Sequence, residues 1–441
     1  MLTTLFTTDA MRAIFDDRTR IQRMLDVEAA LAAGEARVGV IPSSAVGAIV
    51  ACCRAELYDI DALSHSARNA GNLAIPLVAA LTSKVGEADD AAKGYVHWGA
   101  TSQDIIDTGL VLQLRDALQL IEHDVSRLDD ALRVAIERHR QTVMPGRTWL
   151  QQGLPTTLGL KLAGVLSALA RDRARIAALR PRLLVLQLGG ATGTLASLGE
   201  RGPAVERAVA DALQLDVAIV PWHAQRDRLC ELATVLGIVT TTSGKLARDL
   251  ALLAQTEVGE AFEPAAPGRG GSSTMPQKRN PVGASIAIAA AVRVPHLVGT
   301  MLSAAVQEHE RGLGNWPAEW DTLPQIVCLA GGALDVMAET VSGLEVDAER
   351  MLANLDLSKG QVLAEAVQMA LAPALGRDVA HKLVGEAAKR ASREDRRLKD
   401  LLREDEKVRA LISDDGLDRL FDPINYLGAA NAFIDRALAD R

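Results

Sequence analysis

Leu114, Leu118, Ile121, Val125, Leu128 and Leu132 recur at four- and three-residue spacing, the period that keeps apolar side chains on one stripe of an α-helix. The stretch from Asp104 to about Arg140 therefore predicts one long helix with a bundle-like seam, roughly 50 Å at ~1.5 Å per residue. The pattern breaks at Gly146-Arg-Thr-Trp-Leu-Gln-Gln-Gly-Leu-Pro155. Helical spacing resumes from about Thr156 to Leu179, from about Ala224 to Glu260, from Pro281 to about Val306, and again from around Ala318. The loop Leu188-Gly-Gly-Ala-Thr-Gly193 separates the first two of these. Helices this long, polar along one face, predict an elongated bundle with the irregular segments at its ends.

Before Asp104 the predicted elements are shorter. Asp9 is placed to cap a helix through Phe15 and Asp17 a second through Val38, with Gly39 ending it. Pro42, Gly71 and Pro76 punctuate the rest of this region. From about Leu352 the periods shorten again, and charge rises between Arg390 and Arg409. No β-rich region or internal repeat stands out. The expected fold is all-α. It has an N-terminal helical domain (1–103), a central bundle of long helices (104–350, carrying a loop at 263–281) and a small C-terminal helical domain (351–441).

Composition narrows the class of partner. The chain of 441 residues is 49% hydrophobic but only 3% aromatic, so its core is aliphatic. Net charge is −8 with no block of like charges, which argues against nucleic acid. An acidic substrate must then be met by a local positive site. Cys52, Cys53, Cys230 and Cys328 show no metal-ligand spacing, and the adjacent pair is a poor disulfide. Reduced thiols in a cytoplasmic protein are expected. The first residues lack the basic and apolar regions of an export signal. No uninterrupted apolar run reaches membrane-spanning length, so no membrane partner is expected.

The stretch that interrupts two helical segments most abruptly is Gly268-Arg-Gly-Gly-Ser-Ser-Thr-Met-Pro-Gln-Lys-Arg-Asn-Pro281. Three glycines in four residues permit unusual backbone angles, and Pro281 suits the first turn of a helix. A flexible loop entering a helix N-terminus offers N–H groups and positive potential to an anion, and Lys278 adds charge. Ser272 and Ser273 bring hydroxyls to the same place. Gly99-Ala-Thr-Ser-Gln-Asp104 is a second such place. Thr101 and Ser102 stand before a helix as carboxylate ligands, as caps, or as both.

These motifs resemble the signature segments of the fumarase/aspartase superfamily, in that family's order and over nearly the whole chain. The opening Met24-Leu-Asp-Val-Glu-Ala-Ala-Leu31 is most similar to its lactonising, cycloisomerase branch. The resemblance implies a three-domain, all-α homotetramer whose active sites are shared between subunits. It implies a small tricarboxylate substrate from protocatechuate breakdown and no metal or organic cofactor. It makes Ser272 the proton-transfer residue, with Lys278 and Asn280 on a carboxylate. Thr148 and Gln151 keep substrate-contacting positions. His97 matches a histidine of the adenylosuccinate lyases and is either a substrate ligand or structural. Arg311, in Glu308-His-Glu-Arg-Gly-Leu-Gly-Asn-Trp316, meets either a substrate carboxylate or a bundle acid. Gln225 and Arg226 are further candidates of that kind.

One departure is informative. Trp149 stands where the elimination lyases have a histidine. Those enzymes expel basic leaving groups that need a proton from a general acid. A carboxylate, with a pKa of roughly 4, leaves unassisted. A lactonising enzyme forms its C–O bond from the substrate's own carboxylate and has no use for that acid. Trp149 then either walls the pocket or fills the core. The alternative, an adenylosuccinate lyase-like β-elimination enzyme, is disfavoured by Trp149. It is disfavoured also by the lack of an Arg-Tyr pair near the N-terminus.

Overall fold

Capping residues set where the N-terminal helices start. Thr8 accepts from Met11 N at 3.1 Å ahead of α1 (Asp9–Ile14), and Asp16 from Thr19 N at 2.7 Å ahead of α2 (Asp17–Val38). Both caps fall one residue before the expected Asp9 and Asp17. An N-cap keeps extended backbone while its oxygen turns back onto the helix, and Thr8 and Asp16 have ψ of 158° and 161°. Gly39, with φ 77°, closes α2 as expected. The buried face of α2 carries Ile21, Met24, Leu25 and Leu31, and also two acids, Glu28 and Glu35. The shorter helices α3 (Ser43–Cys52), α4 (Ile60–Ala70) and α5 (Ala74–Ala88) come next in the chain.

The computed structural model describes residues 2–271 and 273–440. The fold is all-α, with eighteen α-helices and two small two-stranded sheets among the described residues. Helix α6 (Ser102–Arg138) runs 37 residues. All six apolar residues of its predicted seam are at most 2% exposed, each worth roughly 1.5–3 kcal/mol as an upper figure. The other long helices are α7 (Leu158–Leu183), α9 (Asp227–Leu253), α10 (Val282–Ala304) and α11 (Asn315–Ser342). The shorter α8 (Gly202–Leu213) lies between α7 and α9.

The break after α6 is a β-hairpin. Strand β1 (Val143–Thr148) pairs antiparallel with β2 (Gln151–Thr157), from Val143 opposite Thr157 to Thr148 opposite Gln151. The helix expected from Thr156 therefore begins at Leu158. Two further short strands, β3 (Ala261–Phe262) and β4 (Glu345–Val346), also pair.

Helices α10 and α11 are long and apolar enough to cross a membrane by length and composition, though Arg293 and Pro295 interrupt the apolar run of α10. In α11, 67% of the apolar window is buried, as in a core helix; in α10 only 28% is.

The chain forms two compact units. The first comprises Met1–Val125, Asp172–Gly244 and Ile286–Asp335; the second comprises Ser126–Arg171, Lys245–Ser285 and Val336–Arg441. The second includes the C-terminal helices α12 (Ala348–Asp356), α13 (Ala364–Leu375), α14 (Arg377–Glu394), α15 (Leu398–Glu404), α16 (Glu406–Leu411), α17 (Asp414–Leu420) and α18 (Ala430–Ala439). Val367, Leu371, Val384, Leu398, Leu402 and Leu417 form part of an aliphatic core there. Exposed pairs such as Arg396–Glu404 and Arg403–Asp418 account for the charge seen in that part of the sequence.

Candidate active site

In the first unit, the start of α6 is held by its own aspartate. Asp104, fully buried, accepts from Gly189 N at 3.1 Å, Gly190 N at 2.9 Å, Gln187 Nε2 at 3.1 Å and Thr101 N at 3.1 Å. Burial raises its pKa, against those bonds. The Thr101 N–H expected to meet a substrate carboxylate is therefore already bound by Asp104. What Thr101 and Ser102 present is half-buried hydroxyls.

His97 precedes this turn with a left-handed φ of 58°. Its Nδ1 lies 2.6 Å from Glu28 Oε1, a carboxylate only 1% exposed. Burial disfavours the imidazolium, but the hydrogen bond and negative charge of Glu28 outweigh it, and the pKa is raised. His97 is thus structurally anchored by Glu28, in a setting that favours its protonated form more than water does.

Arg311 makes no ion pair among the described residues. It donates to Gln103 Oε1 at 2.7 Å, Gly190 O at 2.5 Å and Ala191 O at 3.3 Å, so the bundle acid expected as one of its two partners is not bonded to it. Burial lowers its pKa. Arg226 corrects a candidate. It is 2% exposed and donates to Asp107 at 2.6 and 3.0 Å and to Glu319 at 2.6 and 3.0 Å, leaving it nothing to offer a substrate; Gln225 beside it is exposed. His223 is buried against Gly193 (φ 88°), where an added Cβ would come within 2.5 Å of its ring. Burial lowers its pKa.

In the second unit, the hairpin carries Thr148, Trp149, Leu150 and Gln151 at its tip, all exposed. Trp149 is 97% exposed with φ 54°, and Leu150 is 78% exposed with φ 63°. Core filler is thereby excluded for Trp149 within the chain. The hairpin is anchored by Arg147, which donates to Glu260 at 2.9 and 2.5 Å.

The signature loop closes on itself where Asn280 N donates to Gly270 O at 2.8 Å. Gly270 has φ 67°, and a Cβ there would sit 2.6 Å from Asn280 O, so no other residue fits this closure. Arg269 pairs with Glu339 at 2.5 Å and Arg279 with Glu345 at 2.9 Å, while Lys278 is exposed. Ser272, the expected proton-transfer residue, lies outside the described residues. A cavity of ≈ 230 Å³ under the loop is lined by Phe262, Glu263, Arg269, Lys278 and Asn280 among others. The N-terminus of α10 departs from expectation. Gly283 N and Ala284 N donate to the Glu263 carboxylate at 2.9 and 2.7 Å, so these N–H groups are capped from within and are not free for an anion.

The sequence alone does not single out Glu28, Glu263, Gln103 or Asp107. Gln103 lies inside the first motif and Asp107 one turn beyond it, so that spacing is a usable signal. Glu28 and Glu263 give none, since their partners are distant in sequence.

With the geometry in view, residues 4–296 match the family model described as Lyase. The chain belongs to this lyase family, the fumarase/aspartase superfamily. Residues 360–437 match the model described as Adenylosuccinate lyase C-terminus. The chain is 57% identical over 430 residues, 98% of its length and 94% of the relative's, to the 3-carboxy-cis,cis-muconate cycloisomerase of Pseudomonas aeruginosa. The crystal structure of 3-carboxy-cis,cis-muconate lactonizing enzyme from Pseudomonas putida superposes with a TM-score of 0.96 at 53% identity. It covers 100% of this chain and 98% of that one. The crystal structure of beta-carboxy-cis,cis-muconate cycloisomerase from Acinetobacter calcoaceticus gives 0.95 at 45% identity, covering 100% and 99%. As a member of the family, the chain is an enzyme.

Proposed function

We propose that the chain is a cycloisomerase that converts 3-carboxy-cis,cis-muconate to 4-carboxymuconolactone in protocatechuate degradation. The observation that carries this reading is 57% identity, sustained over 98% of the chain, to an enzyme of that name. Trp149 supports it: the exposed hairpin tip presents an apolar ring and no acid.

One substrate carboxylate adds across the conjugated double bond, forming the lactone C–O bond. The π electron pair moves to the carbon beside another carboxylate, giving an aci-carboxylate; Ser272 delivers a proton to that carbon and regains one from solvent. Tethering nucleophile and alkene in one molecule supplies much of the rate as effective molarity. Lys278 and Asn280 stabilise the aci-carboxylate. His97, its pKa raised beside Glu28, and Arg311 bind further carboxylates with Thr101 and Ser102, while Thr148, Trp149 and Gln151 wall the pocket. The substrate carries its own nucleophile and electron sink, so the chemistry asks for no metal or organic cofactor.

We read three domains (1–103, 104–350 and 351–441) assembled as a homotetramer with active sites shared between subunits. Exposed Trp149 and Leu150 and the thinly buried apolar α10 support burial against further copies. Four free thiols suit a cytoplasmic setting.

Mixing purified protein with 3-carboxy-cis,cis-muconate and following loss of diene absorbance tests the assignment. Saturable turnover is expected; no turnover overturns it. The match of residues 360–437 to a model named for adenylosuccinate lyase favours a second reading, β-elimination of adenylosuccinate. Cleavage of that substrate in a parallel assay would establish it.

A further inference from the structure

Three neutral oxygens hold Arg311, those of Gln103, Gly190 and Ala191. A guanidinium has five N–H bonds, and these contacts use one on Nε and one on each Nη. One N–H on each Nη is left for a further acceptor such as a carboxylate.

The amide of Gln103 can turn either end toward Arg311, and only its oxygen accepts. Its neighbours decide the matter. Gln103 Nε2 lies 3.0 Å from Asp107 Oδ2 and 2.9 Å from His223 O, both acceptors, which fixes the nitrogen on that side. Asp107 cannot turn away. Arg226 donates to both of its oxygens, and Trp316 Nε1 donates to Oδ1 at 3.1 Å. Arg226 is itself gripped by Glu319, and the three side chains of this ion triad are at most 1% exposed. A single line of fixed donors and acceptors thus runs Glu319, Arg226, Asp107, Gln103, Arg311. Gln103 is the only member able to both give and accept, and it is the one neutral side chain in the line.

We propose that Gln103 is a positioning residue for Arg311. Oriented by Asp107, it offers a neutral oxygen that fixes the guanidinium while leaving its charge available to a substrate carboxylate. The inference rests on the reading of Arg311 as a substrate-binding residue. A glutamate at this place would hold the arginine more tightly but would cancel its charge, and it would face Asp107 with a like charge. The amide holds without neutralising, which suits a receptor for a polyanion.

Steady-state kinetics with 3-carboxy-cis,cis-muconate on Gln103→Glu, Gln103→Met, Arg311→Ala and the Q103E/R311A double variant test this. Gln103→Glu is expected to raise KM about tenfold or more while kcat stays within about threefold, the signature of lost ground-state binding. Gln103→Met raises KM as well, by releasing the guanidinium. In the R311A background Gln103→Glu adds nothing, because its effect passes through the arginine. A wild-type KM in Gln103→Glu, with a raised KM in Arg311→Ala, overturns the positioning role and leaves the reading of Arg311 intact. An unchanged KM in Arg311→Ala removes that reading and the inference with it. Effects that multiply in the double variant also overturn it, since Gln103 then acts elsewhere. Thermal unfolding accompanies each variant. Should Gln103→Glu fail to fold, uncharged Gln103→Met carries the same comparison, and a wild-type KM there overturns the proposal.

Discussion

Arg226 and Lys278 are both cations in segments the sequence marks as functional, and the structure treats them in opposite ways. Arg226 is 2% exposed and bonded to two carboxylates of its own unit. Lys278, in the other unit, is exposed on the signature loop. The same split runs through the rest of the second unit. Arg147, Arg269 and Arg279 each pair with an acid, whereas Trp149 stands 97% exposed at the hairpin tip. Cations satisfied within the chain set the frame, and the exposed groups are the ones on which the proposed function depends. Arg311 is intermediate, hydrogen-bonded to neutral oxygens and in no ion pair among the described residues, with Asp104 and Asp107 acting on its charge from a distance.

The largest effect should come from the segment that carries Lys278. Ser272→Ala is expected to lower kcat by about 10²–10⁴, the range for a lost proton-transfer group, with thermal unfolding unchanged. Near-wild-type kcat would sink the assignment of Ser272. Lys278→Ala should lower kcat and raise KM together, because its charge serves substrate and transition state alike, while stability moves by no more than about 0.5 kcal/mol. A variant that loses stability and keeps kcat/KM would put Lys278 with the framework cations.

Arg226→Met inverts that pattern. It leaves Asp107 and Glu319 as two buried carboxylates without their cation, at a cost of roughly 3–5 kcal/mol. Denaturant unfolding measures this directly. A loss below about 1 kcal/mol would mean that the triad can relax or protonate at little cost.

A pH-dependent effect attaches to Glu35. It is fully buried, and neither carboxylate oxygen has a hydrogen-bond partner among the described residues. Burial, with the negative charge of Glu28, pushes its pKa from 4.5 up to about 8. The folded state therefore keeps a proton that the unfolded chain releases, and stability falls as pH rises from about 4.5 to about 8. The amide introduced by Glu35→Gln does not titrate. The Tm of that variant should exceed that of wild type by an amount that grows between pH 5 and pH 8. A gap that stays constant with pH would show that Glu35 is not the titrating group.

Much of this is legible in the sequence because apolar periodicity reports burial directly. The α6 seam can be read residue by residue from Leu114 to Leu132, and Gly39 ends α2 as its type demands. The hairpin at 143–157 is not legible as one. Its turn is Trp149-Leu150, where a two-residue turn with both φ positive ordinarily uses Asn or Gly, and its strands contain Pro145, Gly146, Gly153 and Pro155, which read as a break. The internal capping of α10 is equally hidden, since Glu263 lies across the whole loop from Gly283. Arg226 has the look of a ligand in sequence because its two acids lie 119 and 93 residues away.

The finest test of the comparison is at Trp149, the exposed residue with no charge to offer. If a carboxylate leaves in the reverse reaction, no acid is needed here and the ring serves by shaping the pocket. Trp149→Phe keeps an apolar wall and should lower kcat/KM by only a few-fold. Trp149→His supplies the acid that the elimination lyases have, yet it should not improve lactonisation, and it should do worse than phenylalanine by admitting water. Neither variant should cleave adenylosuccinate, because the N-terminal Arg-Tyr pair is missing as well. The measurement is kcat/KM for both variants across pH 6 to 9, a range that brackets histidine titration near ~6.5. The expected profile for Trp149→His has no new limb in that region. A Trp149→His enzyme faster than wild type, with a limb near the histidine pKa, would show that the reaction wants a proton donor at the hairpin tip. The leaving-group explanation for the tryptophan would then be wrong.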